Sequence, residues 1–298
     1  MDPITTTATV SGLSIFCMFV SLFISLIFPI VIVTILCVKR KIHIAPVLVG
    51  AAVFFVFQTL TRIPALTFAS EAWPAFKQFT NDPLWGGLFL GLTAGLFEEF
   101  GRFIGYKVAL KKYTGWNDGF AFGLGHGGFE AITLAGLSFV NNIIFAFAIN
   151  SGAWDTIAAA LPAETAQSLF NSLTGLSPVT FLVGGMERLF AMTIQVALSI
   201  LVLYAIRRRR FIYVLLAVLL HAVVDSPIIF LITNTGTVGT ELYAFACAVA
   251  GAIYIVLSRK VFVRMDAQGQ PEGAPQGFTT LADGTKPADD DNPLPPIE

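Results

Sequence analysis

An apolar run from about Leu84 to Leu110 is long enough to cross a bilayer, yet it carries Glu98, Glu99 and Arg102 near its middle. A charged side chain at the bilayer centre costs about 2.5–3.5 kcal/mol on insertion scales. Three such charges on one segment must therefore face partners inside a bundle. Candidate partners are present: His126, Glu130, Glu187, Arg188, His221 and Asp225 each lie inside another apolar segment.

The rest of the chain has the same character. Of its 298 residues 55% are hydrophobic and 12% charged, against about 25% charged in soluble domains. Apolar segments fall at about 10–38, 44–69, 84–110, 118–149, 178–206, 211–233 and 239–260. This pattern predicts an all-α, polytopic transmembrane helix bundle of about seven spans, whose partner is the lipid bilayer. Basic residues cluster at Lys39–Lys41, Lys111–Lys112, Arg207–Arg210 and Arg259–Arg264, after segments one, three, five and seven. The positive-inside rule then puts the N-terminus outside and the C-terminus in the cytoplasm. Met1-Asp2-Pro3 lacks a basic n-region, so the first segment reads as a retained anchor.

Other features exclude classes. The basic residues form no stripe suited to nucleic acid. Cys17, Cys37 and Cys247 are isolated in apolar segments, which is neither a disulfide framework nor a CxxC metal site. The tail over 265–298 is rich in Pro, Gly and Asp, with Asp289-Asp290-Asp291 near its end, and is expected to be a disordered acidic cytoplasmic tail. That leaves 1–264 as the membrane domain, with a motif core over about 84–233. The loop over about 150–177 places Leu161, Leu169, Phe170 and Leu173 mostly on one face, as in a short interfacial helix. Small residues recur at spacing four, at Gly87, Gly91, Gly95 and again at Gly119, Gly123, Gly127, which predicts close packing of segments three and four.

At 1.5 Å per residue, Glu98 lies roughly 18–21 Å from either end of its segment. His126, Glu130, Glu187, His221 and Asp225 reach overlapping depths, so four helices deliver polar groups to one level. Glu98 and Arg102, His126 and Glu130, and His221 and Asp225 are each i,i+4 and share a helix face. A histidine and a carboxylate one turn apart either ligate a metal together or let the carboxylate orient the imidazole. Five carboxylates (Glu98, Glu99, Glu130, Glu187, Asp225) face two guanidiniums (Arg102, Arg188). A low-dielectric site does not hold that imbalance. Protonated carboxylates, charged histidines or a divalent cation each resolve it, and two histidines with carboxylates form a recognisable zinc set. Glu187-Arg188 also reads as a plain structural ion pair, and Arg62 as a residue snorkelling to the outer surface.

Three motifs stand together: Glu98-Glu99-x-x-Arg102, His126-Gly127-Gly128-Phe129-Glu130 and His221-x-x-x-Asp225. They resemble the YhfC family of intramembrane metalloproteases and, more distantly, the PrsW and CAAX-processing (CPBP) proteases. Two residues separate Glu99 from Arg102, where the CPBP form has three, which favours the YhfC or PrsW branch. The resemblance implies hydrolysis of a peptide bond in a membrane-associated peptide or protein substrate, in a prokaryotic plasma membrane. It implies Glu98 or Glu99 as the general base, with Arg102 keeping one of the pair ionised and aimed. His126 and His221 would hold zinc or another divalent metal, or donate to an oxyanion. Asp225 and Glu130 would complete the metal shell or orient the imidazoles, with Glu187 and Arg188 in support. The same residues are compatible with two other classes, an ion- or proton-coupled transporter and a non-catalytic scaffold, and neither substrate nor oligomeric state is legible.

Overall fold

The computed structural model describes residues 8–268, and among them the chain forms helices and no strand. Helices are what lipid demands, because each apolar segment must satisfy its own backbone donors and acceptors. In chain order the helices are α1 (Gly12–Val38), α2 (Ile44–Ala72), α3 (Pro74–Thr80), α4 (Trp85–Ala109), α5 (Trp116–Ser151), α6 (Trp154–Ala158), α7 (Ala163–Gly175), α8 (Pro178–Arg208), α9 (Ile212–Asp225) and α10 (Ile228–Gln268). The acidic tail expected over 265–298 lies almost wholly outside the described residues, and α10 runs on through Arg264 to Gln268.

Five stretches are long and apolar enough to cross a membrane: α1, α2, α5, α8 and the continuous run Ile212–Gln268. The 25-residue α4 is not among them on composition. Every 18-residue stretch of α4 contains Glu98, Glu99 and Arg102. The polarity of this bundle is inverted relative to a soluble protein. Large apolar side chains such as Phe16, Leu88, Leu92 and Val256 point outward, while Gln58, Glu98, Glu99, Arg102, His126, Gln195 and His221 are buried.

Helix α8 is the central post, packed against α1, α4, α5, α9 and α10. Helix α2 packs on α4 and α5, and α9 packs on α4. The glycine spacing does produce close approaches, but not between α4 and α5. A β-carbon at Gly95 would stand 2.6 Å from the Val218 carbonyl oxygen of α9, and one at Gly91 would stand 2.6 Å from the Ser226 amide. On α5, Gly123 abuts Val196 of α8 and Gly125 abuts Val47 of α2. The pairing expected between segments three and four is thus replaced by α4 on α9 and α5 on α8 and α2. A four-residue glycine repeat specifies a close neighbour without naming it.

Prolines shape α1 and the site-bearing α2. Pro29 and Pro64 lack an N–H, and each ring crowds the carbonyl four residues back. Both helices answer with a widened π-helical turn just upstream, at Phe23–Ile27 and Phe55–Arg62. The second of these turns carries Gln58 and Arg62. A third, Ala131–Gly136, directly follows Glu130. Such turns are common where a helix is re-aimed at a functional side chain.

The sixth apolar segment, read as 211–233, is not one straight helix. It breaks at Ser226-Pro227, directly after Asp225; a second break, at Gly236, falls between the sixth and seventh segments, and its φ of 67° is a conformation that favours glycine. The chain then folds back: Tyr243 Oη donates to the Val223 carbonyl, and Asp266 pairs with Arg207 at 2.7 Å. The stretch 70–83, between the second and third apolar segments, is largely helical, through the end of α2 and α3. The short helix expected over 150–177 is present as α7, with Leu161, Leu169, Phe170 and Leu173 packed in one cluster with Phe139 and Trp154.

A buried carboxylate and histidine centre

Five helices bring polar side chains to one place. Glu98, Glu99 and Arg102 come from the middle of α4, His126 and Glu130 from α5, Gln195 from α8, His221 and Asp225 from α9, and Gln58 from α2. Arg102, Glu99 and His126 have no exposed surface.

Glu98 is the most heavily shared group. Its Oε2 lies 2.8 Å from His126 Nε2 and accepts from Arg102 Nη2 at 3.1 Å and from Gln195 Nε2 at 3.2 Å. Its Oε1 accepts from Gln58 Nε2 at 2.5 Å. Glu99 Oε1 accepts from Arg102 Nη1 and lies 2.7 Å from His221 Nδ1, while its Oε2 is buried without a partner. The i,i+3 and i,i+4 spacing lets one guanidinium hold both carboxylates of Glu98-Glu99-x-x-Arg102.

The imidazoles are oriented by these carboxylates. A carboxylate only accepts, so the facing nitrogens, His126 Nε2 and His221 Nδ1, carry the protons. His126 is fixed further by Phe54, edge-on at 5.3 Å, and by Phe122, stacked at 6.4 Å. Its Nδ1 is buried and has no hydrogen-bond partner. The other nitrogen of His221, Nε2, lies 3.4 Å from Asp225 Oδ2 and 3.9 Å from Glu98 Oε1.

Two glutamines complete the network, and the sequence reading passed over both. Gln195 accepts from Arg102 through Oε1 and donates through Nε2 to Glu130 at 2.6 Å as well as to Glu98. Gln58 accepts from Arg62 Nη1 at 3.2 Å and donates to Glu98. Each amide thus stands between a guanidinium and a carboxylate with both ends satisfied. Being uncharged, neither was caught by a search for intramembrane charge, although an amide deep in an apolar run needs a partner too. Arg62 differs from the snorkelling expectation. Its guanidinium turns inward, donating also to Thr93 Oγ1 at 3.2 Å and to the Leu90 carbonyl at 2.5 Å.

The centre opens on one side into a cavity of about 130 Å³, bordered by Glu98, Glu130, Arg188, Gln195, His221 and Asp225. Arg188 pairs with Glu187 and stands 3.6 Å from Glu130 Oε1. Glu187 also borders the cavity. His43, at the start of α2, takes no part in this centre and pairs with Asp118 at 2.8 Å.

A model of the YhfC intramembrane metalloprotease family matches residues 24–247, which include every residue named in this centre. The chain belongs to that family. A relative described as the uncharacterized membrane protein YhfC of Bacillus subtilis (strain 168) is 35% identical over 221 residues, 72% of this chain and 84% of the relative. No solved structure matches.

The donor chemistry fits a divalent metal. One ligand atom each from Glu98, His126 and Glu130 lies within 4.8 Å of the other two. One imidazole and two carboxylates are a donor set that suits zinc and neighbouring transition metals. The unpartnered Nδ1 of His126 and the crowding of carboxylates both leave room for added positive charge. Of the four metal candidates read from the sequence, His126 and Glu130 are in this cluster and Glu98 joins them. His221 and Asp225 are not, because Glu99 holds His221 by its Nδ1 and turns Nε2 toward Asp225 and the cavity.

Proposed function

We propose that this protein is an intramembrane endopeptidase that hydrolyses a peptide bond of a membrane-associated peptide or protein. The observation that carries the reading is the Glu98–His126–Glu130 cluster, set beside a cavity into which His221 and Asp225 also face. Glu98, His126 and Glu130 would hold a divalent cation, which when bound polarises a carbonyl and makes water more acidic.

The chain's own groups supply the proton transfers. Glu99 is sealed from the cavity and acts through His221. It holds Nδ1–H and turns Nε2 toward the cavity and Asp225, whose carboxylate stabilises the imidazolium formed when Nε2 takes a proton, an arrangement suited to a general base. Water in the cavity gives a proton to His221 Nε2 as its oxygen bonds to the scissile carbonyl carbon. The protonated imidazole, held between Glu99 and Asp225, then passes that proton to the departing amine nitrogen as the C–N bond breaks. Glu98 stands too close to His126 and Gln195 to act as a free base, so proton abstraction moves from the glutamate pair to His221. Arg102 holds Glu98 and Glu99, and Gln195 holds Glu98 and Glu130, in fixed orientations.

The same reading includes seven crossings. The five apolar stretches are joined by α4, and the run Ile212–Gln268 supplies two crossings that reverse at Gly236. The N-terminus is outside, the C-terminus faces the cytoplasm, and the membrane is a bacterial plasma membrane.

The test is purification of the full chain in detergent, elemental mass spectrometry of its metal content, and a cleavage assay on a library of transmembrane peptides. Cleavage by the wild type, lost on chelation and in Glu98→Gln and His221→Ala variants that remain folded, is expected. Metal-free folded protein with no cleavage would leave a scaffold and overturn the reading.

A further inference from the structure

A second cavity, of about 510 Å³, lies where α4 ends, α8 ends and α9 begins. Four cations line it: Lys107, Lys111, Arg209 and Arg210. No carboxylate lines it, and among the described residues none of the four has a carboxylate partner. The neighbouring arginines are engaged elsewhere. Arg207 pairs with Asp266 at 2.7 Å and lies over Phe262, and Arg208 lies over the Tyr204 ring at 5.5 Å. Lys107 of the cavity lies over the Phe103 ring at 5.7 Å, and the four cavity cations together carry charge that no carboxylate offsets among the described residues.

The inner wall is apolar. Phe103, Leu110, Leu203 and Phe211 form it. Leu203 and Leu110 are buried, whereas Phe211 is 43% exposed. Because α4 and α8 have bilayer length, their ends lie at headgroup level. The site therefore offers cations at headgroup height above an apolar slot.

Arg209 adds a second observation. It caps α8 in the left-handed conformation, with φ 53° and ψ 34°. That position is usually glycine, because a β-carbon is crowded there. Arg40, after α1 and away from the cavity, has the same conformation with φ 52°, so what sets Arg209 apart is its place among the four cations that line the cavity.

We propose that this cavity is a binding site for an anionic phospholipid, its phosphate held by Lys107, Lys111, Arg209 and Arg210 and its acyl chains lying along Phe103 and Phe211. The shared chemistry is a phosphate, which could also arrive as a free anion. The apolar wall favours the amphiphile, since a free phosphate would leave that wall unused. Basic pockets between transmembrane helices bind acidic headgroups in this manner.

The experiment is native mass spectrometry of the full chain in detergent, titrated with phosphatidylglycerol, phosphatidylcholine or inorganic phosphate. The wild type is expected to retain one phosphatidylglycerol with at least about tenfold preference over phosphatidylcholine, and millimolar phosphate should not displace it. Arg209→Gly removes one cation and relieves the backbone, so it should fold at least as stably and lose several-fold in lipid affinity. The quadruple change of Lys107, Lys111, Arg209 and Arg210 to Gln should abolish the preference. Lys39→Gln with Lys41→Gln removes two of the three cations of a basic cluster that lines no part of this cavity and should leave binding unchanged. Equal retention of both lipids, or equal loss in the Lys39/Lys41 variant, would overturn the site. Displacement by phosphate would overturn the lipid assignment.

Discussion

His221 Nδ1 stands 2.7 Å from Glu99 Oε1, and Glu99 has no exposed surface through which to touch a substrate. A buried carboxylate that meets an imidazole in this way sets its tautomer. Glu99→Gln should let the amide donate to Nδ1 and move the proton to Nε2, so that His221 no longer accepts a proton from water. The expected result is a fall in kcat on the order of 10²–10⁴ with little change in KM. The kcat–pH profile should change shape as well, and Glu99→Asp should restore part of the rate. Wild-type kcat in the Gln variant would remove Glu99 from the mechanism.

Metal content separates the cluster from the paired histidine. Wild-type protein is expected to carry about one divalent cation per chain, with protons released as it binds. His126→Ala and Glu130→Gln remove members of the cluster and should lower the occupancy sharply. His221→Ala and Asp225→Asn should keep the cation while losing cleavage. Elemental mass spectrometry on folded variants reads this directly. Loss of metal in the His221 variant would return that residue to the ligand shell.

Part of this centre was legible before any fold was known. Glu98, Glu99, Arg102, His126 and His221 stood out because lipid penalises charge so heavily that each had to meet a partner. The resemblance of their three motifs to the YhfC family agrees with the family match over residues 24–247. Gln58 and Gln195 stayed hidden because an amide carries no formal charge and looks ordinary in a single segment. The inward turn of Arg62 was hidden too, since its position near a helix end is equally suited to snorkelling. Only the π-helical turn at Phe55–Arg62 aims it at α4. The break at Ser226-Pro227 was missed because Pro227 sits inside an apolar run that averages over it, whereas the break at Gly236 falls in the gap already read between the sixth and seventh segments.

Gln195 links Arg102 to Glu98 and Glu130, so its removal should be felt in stability before activity. Hydrogen bonds to charged partners contribute roughly 1.5–3 kcal/mol each. Gln195→Leu keeps the volume but leaves Glu130 and Arg102 short of partners, and a loss of about 2–5 kcal/mol is expected. Thermal unfolding in detergent measures it. Gln195→Glu should be worse still without metal, because it adds a carboxylate between two others, and added divalent cation should recover part of the loss. A Leu variant that melts with the wild type would show that the amide carries none of this load.

Gly95 sets the distance between Glu99 and His221. A β-carbon there would stand 2.6 Å from the Val218 carbonyl oxygen and 3.3 Å from His221 Cβ, so α9 can keep its seat on α4 only if residue 95 has no side chain. Gly95→Val should push the two helices apart at a cost of about 1–3 kcal/mol. The displaced His221 would lose its hold on Glu99, and kcat should fall by more than the stability loss explains. Gly184 offers the control, since its nearest neighbour would be Phe139 Cζ at 3.5 Å, an ordinary contact. Gly184→Ala should therefore melt and cleave close to the wild type. If Gly95→Val did the same, the α4–α9 contact would not be what positions His221.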